Sequence, residues 1–471
     1  MKNTGNNTLR KPKEMKLKAT TKPNIFLITL DSLRPDFVSS YGIRQNVTPF
    51  IDSLANSGVK FNAAYSSGLW SDPSVASMVS GQFPHKHRVL AGIDSNLEDE
   101  TIAEVLTKQG YSSFFVGTGS QYLSEVRQIT KGYKYLVDTF SIRYPREALK
   151  KSSDKIFDVG QLLYSAVVGR DVRLKYSIDK TQKLLRRKKD VPVFGHMHLF
   201  FFNGSNIPYF WNSKWRYIRN HKGFDVQDFN QLRRKIQKLD KETRLSHKFI
   251  CDPSYLTERE LGALKLLYEA SANYADQRVK GFFEFLKSQG LFDNSIFIIT
   301  ADHGENLGEH GMLSHNFSAS QQIINIPLVI WSPNSERHEV DYKYSHVNLK
   351  NIITELADSE KVDVHAIEEI LSKNDDQVYF EDGKPGNIVQ TLQKIDKGFS
   401  VDRFNYAVKG VVCGDWKLIK KSNGEHELYN IKLDPEERDN LALKELEKLN
   451  DLSNKVTYNL GGFDESSKIL I

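Results

Sequence analysis

Asn24-Ile25-Phe26-Leu27-Ile28-Thr29-Leu30 is an unbroken apolar, β-branched run that follows Pro23 and stops at Asp31. Its length and composition predict a buried strand rather than a helix. Ser295-Ile296-Phe297-Ile298-Ile299-Thr300 repeats the layout and runs into Ala301-Asp302-His303-Gly304. Two hydrophobic strands therefore each deliver a carboxylate at the C-terminal edge. Between and beyond them, helix-like patterns (Thr101 to Gly110, Leu261 to Gly290) alternate with strand-like runs at Ser112 to Val116, Val191 to Phe202 and Leu328 to Trp331. Such alternation predicts an α/β fold: a large, mostly parallel sheet with helices on both faces. Ligands in such sheets bind beyond the carboxyl ends of the strands, where Asp31 and Asp302 lie.

Around this frame the chain divides into three parts. Residues 1–22 form a basic tail expected to be disordered, and 23–372 form the catalytic α/β domain, within which 141–250 reads as a variable insertion or lid. From 373 to 471, short runs (Gln377 to Glu381, Tyr406 to Val412, Trp416 to Lys420, Glu427 to Tyr429) predict a smaller antiparallel-sheet subdomain. The 471 residues are 39% hydrophobic and 26% charged, which excludes fibrous and wholly disordered classes. Cys251 and Cys413 stand far apart with no CxxC or Cys/His spacing, so neither a disulfide framework nor a structural zinc site is expected. With no run of 18 apolar residues and no apolar segment behind the N-terminal charges, a cytoplasmic protein is expected, without an integral membrane segment. Residues 211–250 carry eleven Lys/Arg against Asp225, Asp228, Asp240 and Glu242, a net +7 within an overall +6. That segment is either a solvated helical face or a basic surface that meets an anionic substrate or a membrane; no nucleic-acid motif accompanies it, and nucleic acid is not expected as a partner.

Chemistry is carried by a second stretch, Trp70-Ser71-Asp72-Pro73-Ser74-Val75-Ala76-Ser77-Met78. Polar residues precede a proline at the start of a helix-compatible run, which places the Ser71 hydroxyl at a helix N-terminus, where free amides favour an anion. Serine needs a base or a metal before it attacks. Asp31, Asp302 and His303 offer two oxygens and a nitrogen for one divalent cation, with Ser71 as fourth ligand, a donor set that suits Mn or Zn. Either His310 or His315 would protonate the leaving group. Arg34 either clamps a substrate oxygen or makes a structural ion pair, and His198 either reaches the substrate or fills the core.

The order and spacing of these residues resemble the sulfatase family of the alkaline phosphatase superfamily. The landmarks are Leu30-Asp31-Ser32-Leu33-Arg34-Pro35-Asp36 with Tyr41-Gly42, Thr48-Pro49-Phe50-Ile51-Asp52, Ser71-Asp72-Pro73-Ser74 with Gly81-Gln82-Phe83-Pro84, and Ile102-Ala103-Glu104-Val105-Leu106 to Gly110-Tyr111. They continue with Thr300-Ala301-Asp302-His303-Gly304-Glu305 to Gly308-Glu309-His310-Gly311, Ser345-His346-Val347, Trp416-Lys417-Leu418-Ile419, Glu427-Leu428-Tyr429 and Asp434-Pro435. The resemblance implies an alkaline-phosphatase-like α/β/α sandwich, hydrolysis or transfer at sulfate or phosphate esters, and a metal at the strand ends, with Ca added to Mn and Zn as a candidate.

Departures from the family pattern refine that expectation. Val75 stands where the family has the arginine of Cys-x-Pro-x-Arg, the motif whose Cys or Ser is oxidised to formylglycine. Ser32 stands for the second Asp of the first motif, His303 for Asn, His315 for a Lys, Gly117-Thr118-Gly119-Ser120 for Gly-Lys-Trp-His, and Asn206 for a His. The remaining set, Asp31, Ser71, Asp302 and His303, resembles the Ser/Thr-nucleophile branch that includes phosphoglycerol and phosphoethanolamine transferases. An unmodified Ser71 is therefore the expected nucleophile, acting on a small anionic ester or a sugar- or lipid-linked one. The alternatives are a formylglycine sulfatase and a non-catalytic anion-binding member.

Overall fold

Every residue of the Asn24–Leu30 strand is buried, because it pairs in parallel with Val193–Leu199 on one side and with Ser295–Thr300 on the other. A strand enclosed by neighbours and by helices on both faces has no polar side, so its sequence does not alternate. The computed structural model describes residues 22–42, 46–90, 97, 99–117, 128–138, 174–186, 191–200, 202, 217–221, 225–239, 243–315, 317–359, 362–383 and 387–463. Across the main sheet the strand order is His338–Val340, Val59–Phe61, Leu328–Trp331, Ser295–Thr300, Asn24–Leu30, Val193–Leu199, Ser112–Gly117 and Tyr135–Asp138. Within it only Leu328–Trp331 runs antiparallel to both neighbours, so the sheet is mostly parallel.

The long helix Glu258–Ser288 covers one face. A capping box formed by Thr257 and Glu260 starts it, and its Phe282 and Phe283 pack on Phe26 and Phe297 with ring centroids 5.6 and 4.0 Å apart. On the other face Ser71–Ser80, Ile102–Lys108 and Leu349–Asp358 pack together, the last two seated on Ser112–Gly117 and Asn24–Leu30. These layers form the expected α/β/α sandwich.

The C-terminal runs form a separate four-stranded antiparallel sheet, Gln377–Asp382, Val408–Cys413, Trp416–Lys421 and His426–Asn430 in that order. Helix Leu446–Leu460 covers it through Leu452, Val456 and Leu460, packed against Val411, Leu418 and Leu428. Its first strand docks on the catalytic side: the Glu381 amide donates to the Ser67 carbonyl at 3.0 Å, and the Glu381 carboxylate accepts from the His85 amide at 2.7 Å and lies 2.6 Å from His85 Nδ1.

The 141–250 stretch is not an insertion throughout. Its Val193–Leu199 segment is a central strand, and Leu174–Leu185 packs on that strand and on Ser112–Gly117. The apolar run in Val191 to Phe202 belongs to the core, whereas 141–173 and most of 203–224 lie outside the described residues, as does the tail up to residue 21. Part of the basic segment is the amphipathic helix Val226–Gln237, with Phe229, Leu232 and Ile236 buried and Arg233 and Arg234 exposed. Among the described residues no helix is long and apolar enough to cross a membrane.

Candidate active site

Asp31 directly follows its strand and Asp302 stands one residue beyond the end of the adjacent parallel strand, so their carboxylates emerge side by side at one sheet edge, both buried. Ser32 orients the pair. Its backbone is left-handed (φ 63°), which turns its amide onto Asp302 Oδ1 at 2.9 Å, while its hydroxyl donates to Asp31 Oδ1 at 2.8 Å. The His303 amide also donates to Asp302 Oδ1, at 2.9 Å. The other oxygen, Asp302 Oδ2, is fully buried and without a hydrogen-bond partner among the described residues; it lies 3.4 Å from His303 Nε2 and 3.8 Å from His198 Nε2. Burial alone would raise the Asp302 pKa, but the neighbouring His303 and His198 and the Ser32 amide outweigh it and hold the carboxyl below its ordinary value.

Ser71 opens the helix Ser71–Ser80, two residues earlier than the position of Pro73 suggested; Pro73 is tolerated because first-turn amides have no intrahelical partner. Ser71 Oγ stands 3.0 Å from His303 Nε2. The other ring nitrogen, His303 Nδ1, lies 2.7 Å from the Gly304 carbonyl, which assigns the proton to Nδ1 and leaves the Nε2 lone pair facing Ser71 and Asp302. Gly304 is required here, since a Cβ would stand 1.9 Å from the Gln322 carbonyl oxygen. Donor atoms of Asp31, Asp302 and His303 lie within 4.8 Å of one another, all buried. Two carboxylates and an imidazole lone pair converging around an oxygen without a hydrogen-bond partner among the described residues fit a divalent cation.

The remaining predicted residues separate. His315 joins the cluster: its ring centroid is 4.4 Å from that of His303, and its Nδ1 lies 3.3 Å from Glu305 Oε2. Burial opposes a charge on His315, but the Glu305 hydrogen bond and charge, with Asp31 and Asp302, raise its pKa. His310 is exposed on the turn Glu309–Gly311, and among the described residues no contact ties it to the cluster. Arg34 is buried and committed elsewhere: Nε and Nη2 donate to Asp36 at 2.8 Å, and Nη1 to the Glu305 carbonyl at 3.0 Å and to Glu309 at 3.2 Å. Of its two sequence readings the geometry matches the ion pair. His198 is 0% exposed, beneath the carboxylates, which matches the core reading rather than substrate contact.

Three groups escaped the sequence reading. Glu305 holds His315, and its only signal is its place in Asp302-His303-Gly304-Glu305. Ser66 Oγ lies 2.7 Å from the Asp302 carbonyl, 2.9 Å from Ser74 Oγ and 3.4 Å from His346 Nδ1, tying the Asp302 turn to the Ser71 helix. Asp382, at the end of the docking strand, accepts from Trp70 Nε1 at 3.0 Å; burial pushes its carboxyl up to about 7. Neither Ser66 nor Asp382 has a local signal.

The sulfatase family model matches residues 23–359. The chain belongs to the sulfatase family. It is 23% identical to a Δ4,5-hexuronate-2-O-sulfatase of Bacteroides thetaiotaomicron, covering 90% of this chain and 85% of that one, and 22% identical to a choline-sulfatase of Rhizobium meliloti, covering 90% and 83%. Among solved structures it resembles a phosphonate monoester hydrolase of Agrobacterium radiobacter (TM-score 0.63, 18% identity, 92% and 96% covered) and a 2-O GAG sulfatase (TM-score 0.62, 19%, 93% and 92%). The fold is thus alkaline-phosphatase-like, and this sulfatase-family member is a sulfatase-like ester hydrolase. Val75, which stands where the sequence resemblance leads one to expect the motif arginine, is fully buried in the Ser71 helix.

Proposed function

We propose that this sulfatase-family enzyme cleaves sulfate or phosphate esters with the unmodified Ser71 hydroxyl as nucleophile, at a centre where Asp31, Asp302 and His303 hold one divalent cation. The observation that carries the reading is the 3.0 Å approach of Ser71 Oγ to His303 Nε2 inside the Asp31–Asp302–His303 cluster. When bound, the cation would polarise the ester oxygens and lower the pKa of the serine hydroxyl. The imidazole and alkoxide donors favour Mn or Zn over Ca. Ser71 Oγ, its proton lost to solvent, attacks sulfur or phosphorus, forming an enzyme ester as the bond to the leaving alkoxide breaks. His315, whose protonated form Glu305 favours, gives its proton to that alkoxide. Amides at the start of the Ser71 helix face the anionic oxygens. Water then cleaves the enzyme ester and regenerates Ser71; an acceptor alcohol in place of water would make the reaction a transfer. His310 is the weaker candidate for the acid, because it lies on the exposed turn.

The substrate class is a small anionic ester, or one linked to a sugar or lipid, in keeping with the sugar sulfates, choline sulfate and phosphonate monoesters named for its relatives. Peripheral contact of the basic 211–250 segment with an anionic surface fits the same reading and predicts salt-sensitive binding. The test is turnover of paired nitrophenyl sulfate, phosphate monoester and phosphodiester substrates with added Mn, Zn or Ca. Turnover that depends on metal and is lost by at least about 1,000-fold in a folded Ser71→Ala variant supports the scheme; full activity of that variant removes it. An intact mass about two hydrogens low on the Ser71 peptide would mark formylglycine instead.

A further inference from the structure

The Val193–Leu199 strand carries two polar residues where a central strand is otherwise apolar. His196 and His198 are both 0% exposed, among Phe194, Met197 and Leu199, which are equally buried. Being two residues apart on one strand, they project to the same face, with ring centroids 6.5 Å apart. Fully buried imidazoles are costly unless their nitrogens are satisfied. His196 meets that demand within the core: Nδ1 lies 3.1 Å from the Tyr133 hydroxyl and Nε2 3.3 Å from Thr29 Oγ1.

His198, one step further along that face, reaches the candidate metal centre. Its Nε2 stands 3.4 Å from Asp31 Oδ2 and 3.8 Å from Asp302 Oδ2. The register dictates this. Thr29 pairs with His198 on one side and Thr300 on the other, so Asp31 and Asp302 lie two residues further along the same face, one step above the His198 ring. His198 stands outside the three residues whose donors gather within 4.8 Å, and its burial keeps it from substrate. Two buried carboxylates repel one another, and Ser32 fixes only their Oδ1 atoms. On the opposite side His198 Nε2 lies within 4 Å of both Asp31 Oδ2 and Asp302 Oδ2, while His303 Nε2 approaches Asp302 Oδ2 at 3.4 Å.

We propose that His198 is a positioning residue of the metal centre: seated beside the His196–Tyr133 pair, its Nε2 holds the Oδ2 atoms of Asp31 and Asp302 at the spacing a divalent cation requires. This rests on the metal-centre reading above. It makes metal affinity a property of a strand that supplies no ligand. A group acting through the ligands in this way changes affinity by about 10–100-fold.

The test compares wild type with His198→Gln, His198→Asn and His198→Ala. Gln places its amide nitrogen near the Nε2 position, and Asn, equally polar but shorter, does not. Mn and Zn affinities are measured by calorimetry, the Co(II) absorption spectrum reports the ligand set, and thermal unfolding of the metal-free proteins reports stability. The expected result is a loss of about 10–100-fold in Asn and Ala, recovery of most of it in Gln, and Co(II) bands unchanged in position. Equal affinity in all four proteins, or equal loss in Gln and Asn, overturns the proposal. So does a Co(II) spectrum in His198→Ala that has lost a nitrogen ligand, since His198 would then be a ligand itself. A wild-type protein that binds none of these ions refutes the metal-centre reading instead, which keeps the two failures distinct.

Discussion

At the scale of single residues, the site is a set of side chains held by backbone atoms. The proposed role of His303 as a ligand depends on the Gly304 carbonyl, which fixes its tautomer, and that carbonyl is in place because residue 304 has no side chain. Gly304→Ala forces a methyl to within 1.9 Å of the Gln322 carbonyl oxygen. The variant should lose about 1–3 kcal/mol of stability, read as a lower denaturant midpoint, and should bind metal more weakly; unchanged values for both would show that the turn relaxes freely. His315 tests the division of labour. If it donates the leaving-group proton, His315→Ala should slow esters of poor alkyl leaving groups by about 100–10,000-fold and nitrophenyl esters far less, because nitrophenolate leaves without a proton. Equal losses on both would assign His315 to binding. Ser71, Asp31, Asp302 and His303 were legible in the sequence because each sits at an element boundary that composition marks. Arg34 and His198 were not settled there. Whether a buried Arg or His touches substrate or core depends on partners such as Glu309 and Asp302, each more than a hundred positions away.

At the scale of elements, the two β-branched runs were readable to the residue, since central parallel strands are apolar throughout. Direction was not readable: Leu328–Trp331 is as apolar as its neighbours yet runs against them, and no residue in the run signals it. The Val193–Leu199 strand is recognisable as a strand, but its basic, irregular flanks dominate the composition and make the surrounding stretch read as a lid. The loop after the Asp302 strand is anchored by the Arg34–Glu309 pair. Burial alone would raise the Glu309 carboxyl, but Arg34, Lys265 and the Leu307 amide hold it at about 2, below its usual 4.5. A depressed carboxyl contributes stability that is present above about pH 4.5 and lost as the pH falls through about 2. Glu309→Gln should therefore be less stable than wild type by about 1–3 kcal/mol near neutrality, with the difference shrinking between pH 4.5 and 2. A difference that stays constant with pH would show that the pair does not govern this loop.

At the scale of the whole molecule, the C-terminal sheet completes the surroundings of the site. Glu381 clamps Ser67 and His85 just before and after the Ser71 helix, and the next residue, Asp382, reaches Trp70. Glu381→Ala should lower the unfolding midpoint, removing a buried carboxylate from two donors at a cost of about 1–3 kcal/mol, and should reduce turnover by loosening the Ser71 helix; a loss of stability without loss of turnover would make the sheet a mere buttress. The existence of this sheet was legible from its alternating strands, but its docking was not, because Glu381 and His85 are far apart in sequence and neither departs from ordinary surface composition.

The account depends on Asp31, Asp302, His303 and Ser71 sharing one cation. Anomalous diffraction from crystals grown with Mn or Zn tests this directly. The expected result is a single strong peak within about 2.0–2.3 Å of donor atoms from all four residues. A metal-loaded crystal with no peak there, or with its peak elsewhere, would contradict it.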